Sequence, residues 1–143
     1  MIDFIQILQK NEVDFLICGG HAVAFHGYPR MTLDFDVLVK PNIQNAQRLI
    51  KAFNDFGLAN MPLEPFCQRG AVFTVGVQPN QIDILTSVST QDEDEIFQNM
   101  TKGRLDEFDV NFLSLDDLLR AKIEANRLKD QLDVQELNAI HKS

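Results

Sequence analysis

Hydrophobic positions along this chain change period several times, and each change marks an element. Phe4, Ile5, Ile7 and Leu8 recur at helical spacing within Ile2 to Asn11, whereas the uninterrupted run Phe15-Leu16-Ile17-Cys18 has the character of a buried strand. Gly19-Gly20 ends that strand, and His21 to Gly27 predicts a short helix closed by its glycine. Apolar and polar residues then alternate from Leu33 towards Val39, a second strand stopped by Lys40-Pro41. Ala46, Leu49, Ile50 and Phe53 line one side of a third helix, over about Ile43 to Phe56, which Gly57 ends.

Beyond a loop containing Pro62 and Pro65, Ala71 to Val77 and Gln81 to Leu85 predict strands joined as a hairpin by Gln78-Pro79-Asn80. Arg104 to Phe112 supplies one or two more strands, diluted by Asp106, Glu107 and Asp109. Ser114, placed before Asp117 and the apolar pair Leu118-Leu119, is a helix-capping signature, and a last helix runs from about Lys129 to Ala139. The expected fold class is α+β (mixed α/β): a small mixed sheet flanked by helices, with a C-terminal helical pair, in a single domain spanning 1–143.

Composition adds mainly exclusions. Hydrophobic residues at 45% and charged residues at 24% are ordinary globular usage. The apolar runs fall far short of the ~20 residues of a membrane helix, and Met1-Ile2-Asp3 lacks a basic-then-apolar export signal, so a cytoplasmic protein with no membrane partner is expected. Cys18 and Cys67 lack metal-ligand spacing and fit buried thiols in a reducing compartment. The formal charge of −8 argues against an extended nucleic-acid surface and makes any phosphate binding local. Gln91 to Glu95 concentrates acid at a predicted helix start, whereas Arg120, Lys122, Arg127 and Lys129 concentrate base near the C-terminus.

Candidate chemistry begins with the second strand. Alternation puts Leu33, Phe35, Val37 and Val39 on one face and Asp34 and Asp36 on the other, with Cα atoms roughly 6.6 Å apart, so that both carboxylates can converge on one cation. A lone Asp-x-Asp more often marks a solvated strand face. The third carboxylate, Asp83 between Ile82 and Ile84, alters that balance, because unpaired charge in an apolar strand is costly. If the two strands are neighbours, Asp34, Asp36 and Asp83 form an oxygen-rich site for Mg²⁺ or Mn²⁺ together with substrate phosphates.

Other residues have the character of phosphate ligands. Gly19 and Gly20 lie between strand and helix, where backbone N–H groups can approach an anion. In an extended backbone Arg30 and Thr32 share the face of Asp34 and Asp36, which directs Arg30 towards a phosphate. Lys122 falls on the helix side of Leu118 and Leu119, where its ammonium either snorkels to solvent or meets a triphosphate. Ion pairing and capping account for Arg127, Lys129, Asp130 and Asp133 at the junction of the last two helices.

As a whole, Gly19-Gly20, the spacer, Asp34-Phe-Asp36 and the later Asp83 resemble the DNA polymerase beta-like nucleotidyltransferase superfamily, in its small toxin-like branch related to abortive-infection nucleotidyltransferases. Leu118, Leu119, Lys122, Ala125, Arg127, Lys129, Asp130, Asp133 and Leu137 are similar to the helical ending of that branch. One departure is Gly20, where many superfamily members carry a phosphate-contacting serine. The resemblance implies a nucleotidyltransferase moving a nucleoside monophosphate from an NTP to a hydroxyl, with Asp34, Asp36 and Asp83 as catalytic metal ligands. Gly19, Gly20, Arg30, Thr32 and Lys122 would hold the nucleotide. It further implies a tRNA, protein or small-molecule acceptor and a toxin with an antitoxin partner. A non-catalytic nucleotide-binding or sensor module on the same fold is the alternative.

Overall fold

Among the described residues, 2–142 of the computed structural model, six α-helices are interspersed with six strands; Met1 and Ser143, at the ends of the expected domain, lie outside them. The order is α1 (Ile2–Lys10), β1 (Phe15–Cys18), α2 (Gly19–Phe25), β2 (Asp34–Val39), α3 (Ile43–Asp55), β3 (Val72–Val75) and β4 (Gln81–Leu85). Then come α4 (Glu93–Gln98), β5 (Thr101–Leu105), β6 (Phe108–Phe112), α5 (Leu115–Ala125) and α6 (Leu128–His141). The fold is α+β, a mixed six-stranded sheet in the order β3-β4-β2-β1-β6-β5 with a helical pair at the C-terminal end. Among these residues no helix is long and apolar enough to cross a membrane.

Local chemistry fixes most boundaries. Asn42 caps α3 by accepting the Asn45 N–H, and Ser114 caps α5 by accepting that of Asp117. The acidic run starts α4 behind Asp92. The one or two strands expected over Arg104 to Phe112 are an antiparallel pair that begins earlier, at Thr101, with Asp106 left-handed at its turn (φ 53°). Several boundaries differ from expectation, among them the Ala71 to Val77 strand, which is only Val72–Val75, and two of the differences bear on the aspartates. Helix α2 begins at Gly19, so both glycines belong to its first turn. Strand β2 begins only at Asp34, so the residues before it are not held in a strand face.

Register brings distant sequence together. β2 pairs antiparallel with β1 and parallel with β4, while β3 closes the edge antiparallel to β4. Val37, Ile84 and Phe73 are partners across three strands, and Phe53 of α3 packs on Phe73 at 5.6 Å between ring centroids, so α3 covers that face. The opposite face carries Asp34 and Asp36 but also Leu38, which is fully buried. A covered face with an opening at its carboxylates is not a solvated strand face.

Candidate active site

Thr74, Asp83, Asp36 and Cys18 are successive register partners across β3, β4, β2 and β1. The Cα atoms of Asp36 and Asp83 are therefore one strand spacing apart, roughly 4.8 Å. Asp34 lies two positions away on the same face, opposite Gln81. Cys18, Asp34, Asp36 and Asp83 open into a cleft of about 530 Å³ lined also by α5 and the start of α6, including Lys122, Arg127, Lys129 and Asp130. A larger cleft, about 630 Å³, opens near the opposite end of β1, at Phe15 and Lys40, and is lined by none of the residues expected to bind substrate.

The carboxylate row carries charge that the protein does not neutralise. Burial, then neighbouring Asp83 and Asp34, push the Asp36 carboxyl up to about 6, against a weaker opposing pull from Lys122. Burial, reinforced by Asp36, likewise raises the Cys18 thiol and keeps it protonated. Asp83 is held by donors: Thr74 Oγ1 at 2.7 Å and Gln81 Nε2 at 3.0 Å, while Asp34 Oδ1 accepts from Gln78 Nε2 at 3.2 Å.

Among the described residues no three His, Cys, Asp or Glu side chains, the expected Asp34, Asp36 and Asp83 included, are grouped closely enough to hold a metal ion together. The donor set nevertheless fits a hard divalent cation, because Mg²⁺ is usually bound by one or two carboxylates with water and substrate phosphate filling the other positions. A raised, half-buried carboxyl beside a second one is a site that gains by accepting positive charge.

The glycines act on this row directly. Gly19 has φ +63°, and a Cβ there would run into the Asp36 carboxylate; a Cβ on Gly20 would come within 2.6 Å of Thr32 Oγ1. Their absent side chains seat Asp36 and Thr32. Gly19→Ala is expected to displace the Asp36 carboxylate and to cost about 1–2 kcal/mol through its left-handed backbone alone. Thermal melting with and without Mn²⁺ checks this: the variant should melt lower and lose most of any metal-induced rise, and an unchanged metal response would refute the seating role.

Of the residues expected to bind nucleotide, Gly19 and Lys122 line the cleft with Asp34, Asp36 and Asp83, while Gly20, Arg30 and Thr32 do not. Thr32 Oγ1 instead donates to the Asp34 carbonyl at 3.0 Å, closing the turn into β2. Arg30 turns away because its backbone precedes the strand: its guanidinium makes a two-pronged bond to Asp133 at 2.7 and 2.9 Å. Lys122 faces the sheet as expected, yet its ammonium lies 3.1 Å from Asp130 and 3.0 Å from Asp133. Arg127 joins Asp130 at 2.6 Å.

No protein-family model matches this chain, and no curated protein matches it.

Three cations thus share two nearly inaccessible carboxylates, Asp130 (0%) and Asp133 (1%). Burial alone would raise both carboxyls. Hydrogen bonds from Arg127 and Lys122 to the one, and from Arg30 and Lys122 to the other, outweigh burial and hold both below the usual carboxylate range. The network ties the segment before β2 to α5 and α6 and so fixes the cleft's far wall. Lys129, exposed at the cleft, makes no ion pair among the described residues. Sequence spacing grouped it with the ion pairs because nothing local distinguishes it from Arg127. The loop after β4 also enters the cleft, through Ser87, Val88 and Ser89. Its only sequence signal is a run of small hydroxyl residues from Thr86 to Thr90.

Proposed function

We propose that this chain is a metal-dependent nucleotidyltransferase that moves a nucleoside monophosphate from an NTP to an acceptor hydroxyl. The observation that carries this reading is the register of Asp36 against Asp83, with Asp34 beside them, in a cleft whose neighbouring Lys122 is already committed to other carboxylates. Such a row accepts Mg²⁺ or Mn²⁺ far better than it accepts a bare anion.

When bound, the divalent ion supplies charge neutralisation at the triphosphate and acidifies the attacking hydroxyl. Asp34 and Asp36 hold it, and Gly19 leaves the room that Asp36 needs. Asp83, oriented by Thr74 and Gln81, takes the acceptor's proton as its oxygen bonds to the α-phosphorus. The bond from that phosphorus to the β-phosphate oxygen breaks, and pyrophosphate leaves beside Lys129 and the exposed Arg127.

A tRNA end, a protein side chain and a small molecule all offer a suitable hydroxyl, and a toxin restrained by an antitoxin is the biological setting the sequence resemblance favours. The hydrogen bonds that already occupy Asp34 and Asp83 favour a second reading, a nucleotide sensor without turnover. Incubation with α-labelled NTPs, Mn²⁺ and either tRNA or cytoplasmic protein separates the two. Label transfer with pyrophosphate release, reduced at least about a hundredfold by Asp36→Ala, is the expected result. Nucleotide binding without transfer to any acceptor selects the sensor, and nucleotide affinity unaltered by Asp36→Ala refutes both.

A further inference from the structure

The sheet ends in two unlike edges. At one, β5 exposes Lys102 and Arg104, charges of the kind that keep an edge strand from pairing with another chain. At the other, β3 has no such guard. From Gly70 to Ile82 the chain carries no charged residue, although Val72 (65%), Thr74 and Val77 (78%) are exposed. In a chain of formal charge −8 this neutral, partly apolar rim stands apart from the rest of the surface.

The backbone along the rim is unpaired. Thr86 N–H donates to the Ala71 carbonyl at 3.1 Å, which makes these two residues a hydrogen-bonded pair continuing the β3–β4 register. Alternation then turns the Phe73 and Val75 backbone groups inward, to Ile84 and Ile82, and points the N–H and C=O of Val72 and Thr74 away from β4. Among the described residues nothing bonds to those outward groups.

We propose that β3 pairs antiparallel with β3 of a second copy of this chain, joining the two sheets into one. With the two-fold axis at Phe73, Val72 faces Thr74 of the second copy and Thr74 faces its Val72, each pair exchanging both N–H···O=C bonds. An axis at Val72 or Thr74 would instead oppose Gly70 (φ 87°) or Gly76 (φ 77°), whose left-handed backbone has left the strand. The neutrality of the rim selects the occupant. Two chains of charge −8 repel, and an uncharged edge is where they can approach, whereas a partner steered by charge finds nothing to recognise there. Register partners share a face, so both carboxylate rows lie on the same side of the joined sheet. Val72 of the second copy then stands beside Thr74, at the end of the row formed by Thr74, Asp83 and Asp36.

A short edge makes a small interface, so the dimer is expected to be weak, with a dissociation constant on the order of 10–100 µM. Sedimentation equilibrium of the full chain from about 5 µM to about 1 mM measures it. Val72→Pro removes only the outward N–H, which β4 does not use, and Val72→Lys gives β3 the kind of charge that guards β5. Each should weaken the dimer at least about tenfold while still melting cooperatively, and the lysine variant decides the matter if the proline variant does not fold. Because like-charged chains repel, raising NaCl from about 0.05 to about 0.5 M should tighten the wild-type dimer. Amide exchange locates the contact: the Val72 and Thr74 amides should gain protection with protein concentration, whereas the Phe73 amide, bonded within the sheet, is protected throughout. A wild type still monomeric at about 1 mM overturns the second copy and leaves the rim to a strand of another protein. A dimer equally tight in both folded variants, weakened by salt, or without concentration-dependent protection at Val72 and Thr74 overturns the edge pairing.

Discussion

Lys122→Met is expected to destabilise the protein by about 3 kcal/mol or more, because it removes the shared partner of two inaccessible carboxylates. Asp130 would keep Arg127 and Asp133 would keep Arg30, which reach the same oxygens as Lys122, but both guanidiniums are more exposed than the ammonium, so each carboxylate would lose its most buried cation. In a chain of this length the loss corresponds to a fall of roughly 6–12 °C in melting temperature. Lys129→Met is the control. Its exposed side chain has no ion pair among the described residues, so stability should move by no more than about 0.5 kcal/mol while NTP affinity in Mn²⁺ falls. A stable Lys122→Met protein with selectively lost nucleotide binding would reverse the assignment and return Lys122 to the phosphates.

The second large effect has the opposite sign. In metal-free protein Asp36→Asn should raise stability at pH 7 by roughly 2–3 kcal/mol, since the folded state holds a carboxyl near 6 against an unfolded value of 3.8. The folded protein binds the extra proton between those values, so this residue's contribution is fully present below about 3.8 and is lost as pH rises through about 6. Asp130 and Asp133, held below their usual range, act in reverse: their contribution is present above the unfolded value and is lost in acid.

Metal-free wild type should therefore be most stable at weakly acidic pH, and urea midpoints measured from pH 4 to 8 should decline on the alkaline side. Asp36→Asn should flatten that decline, and Mn²⁺ at pH 7 should stabilise the wild type but not the variant. An alkaline decline identical in both proteins would show that the carboxylate row is not a strained site. A site that lowers the stability of the empty protein and recovers it with a cation is the trade-off expected of a binding centre.

Much of the fold was legible before any coordinates. Strand Gln81–Leu85 has its expected bounds, the Ser114 cap forms, and the alternation divides buried Phe35, Val37 and Val39 from half-buried Asp34 and Asp36, although Leu33, expected with the buried set, precedes the strand and is exposed. These features depend on near neighbours: a hydroxyl reaching an N–H three residues on, or a period of two along one strand. Alternation also requires that Asp34 and Asp36 share a face, whatever the remainder of the chain does.

Tertiary structure decided which charges are free. Arg30 is drawn from the aspartate face by Asp133, 103 residues later, and Lys122 is absorbed by Asp130 and Asp133 on the next helix. No periodicity encodes those partners, since side chains three residues apart and a hundred apart pair by the same Coulomb attraction once folding brings them together. The register that sets Asp36 beside Asp83 is equally non-local. A parallel pair is joined through the intervening α3 and β3, and a one-residue slip would send Asp83 to the opposite face. The sequence by itself determined three aspartates on apolar strands and the elements that carry them. Only the packed sheet set them in one row along one cleft, because that placement depends on strand order and register rather than on any property of the residues alone.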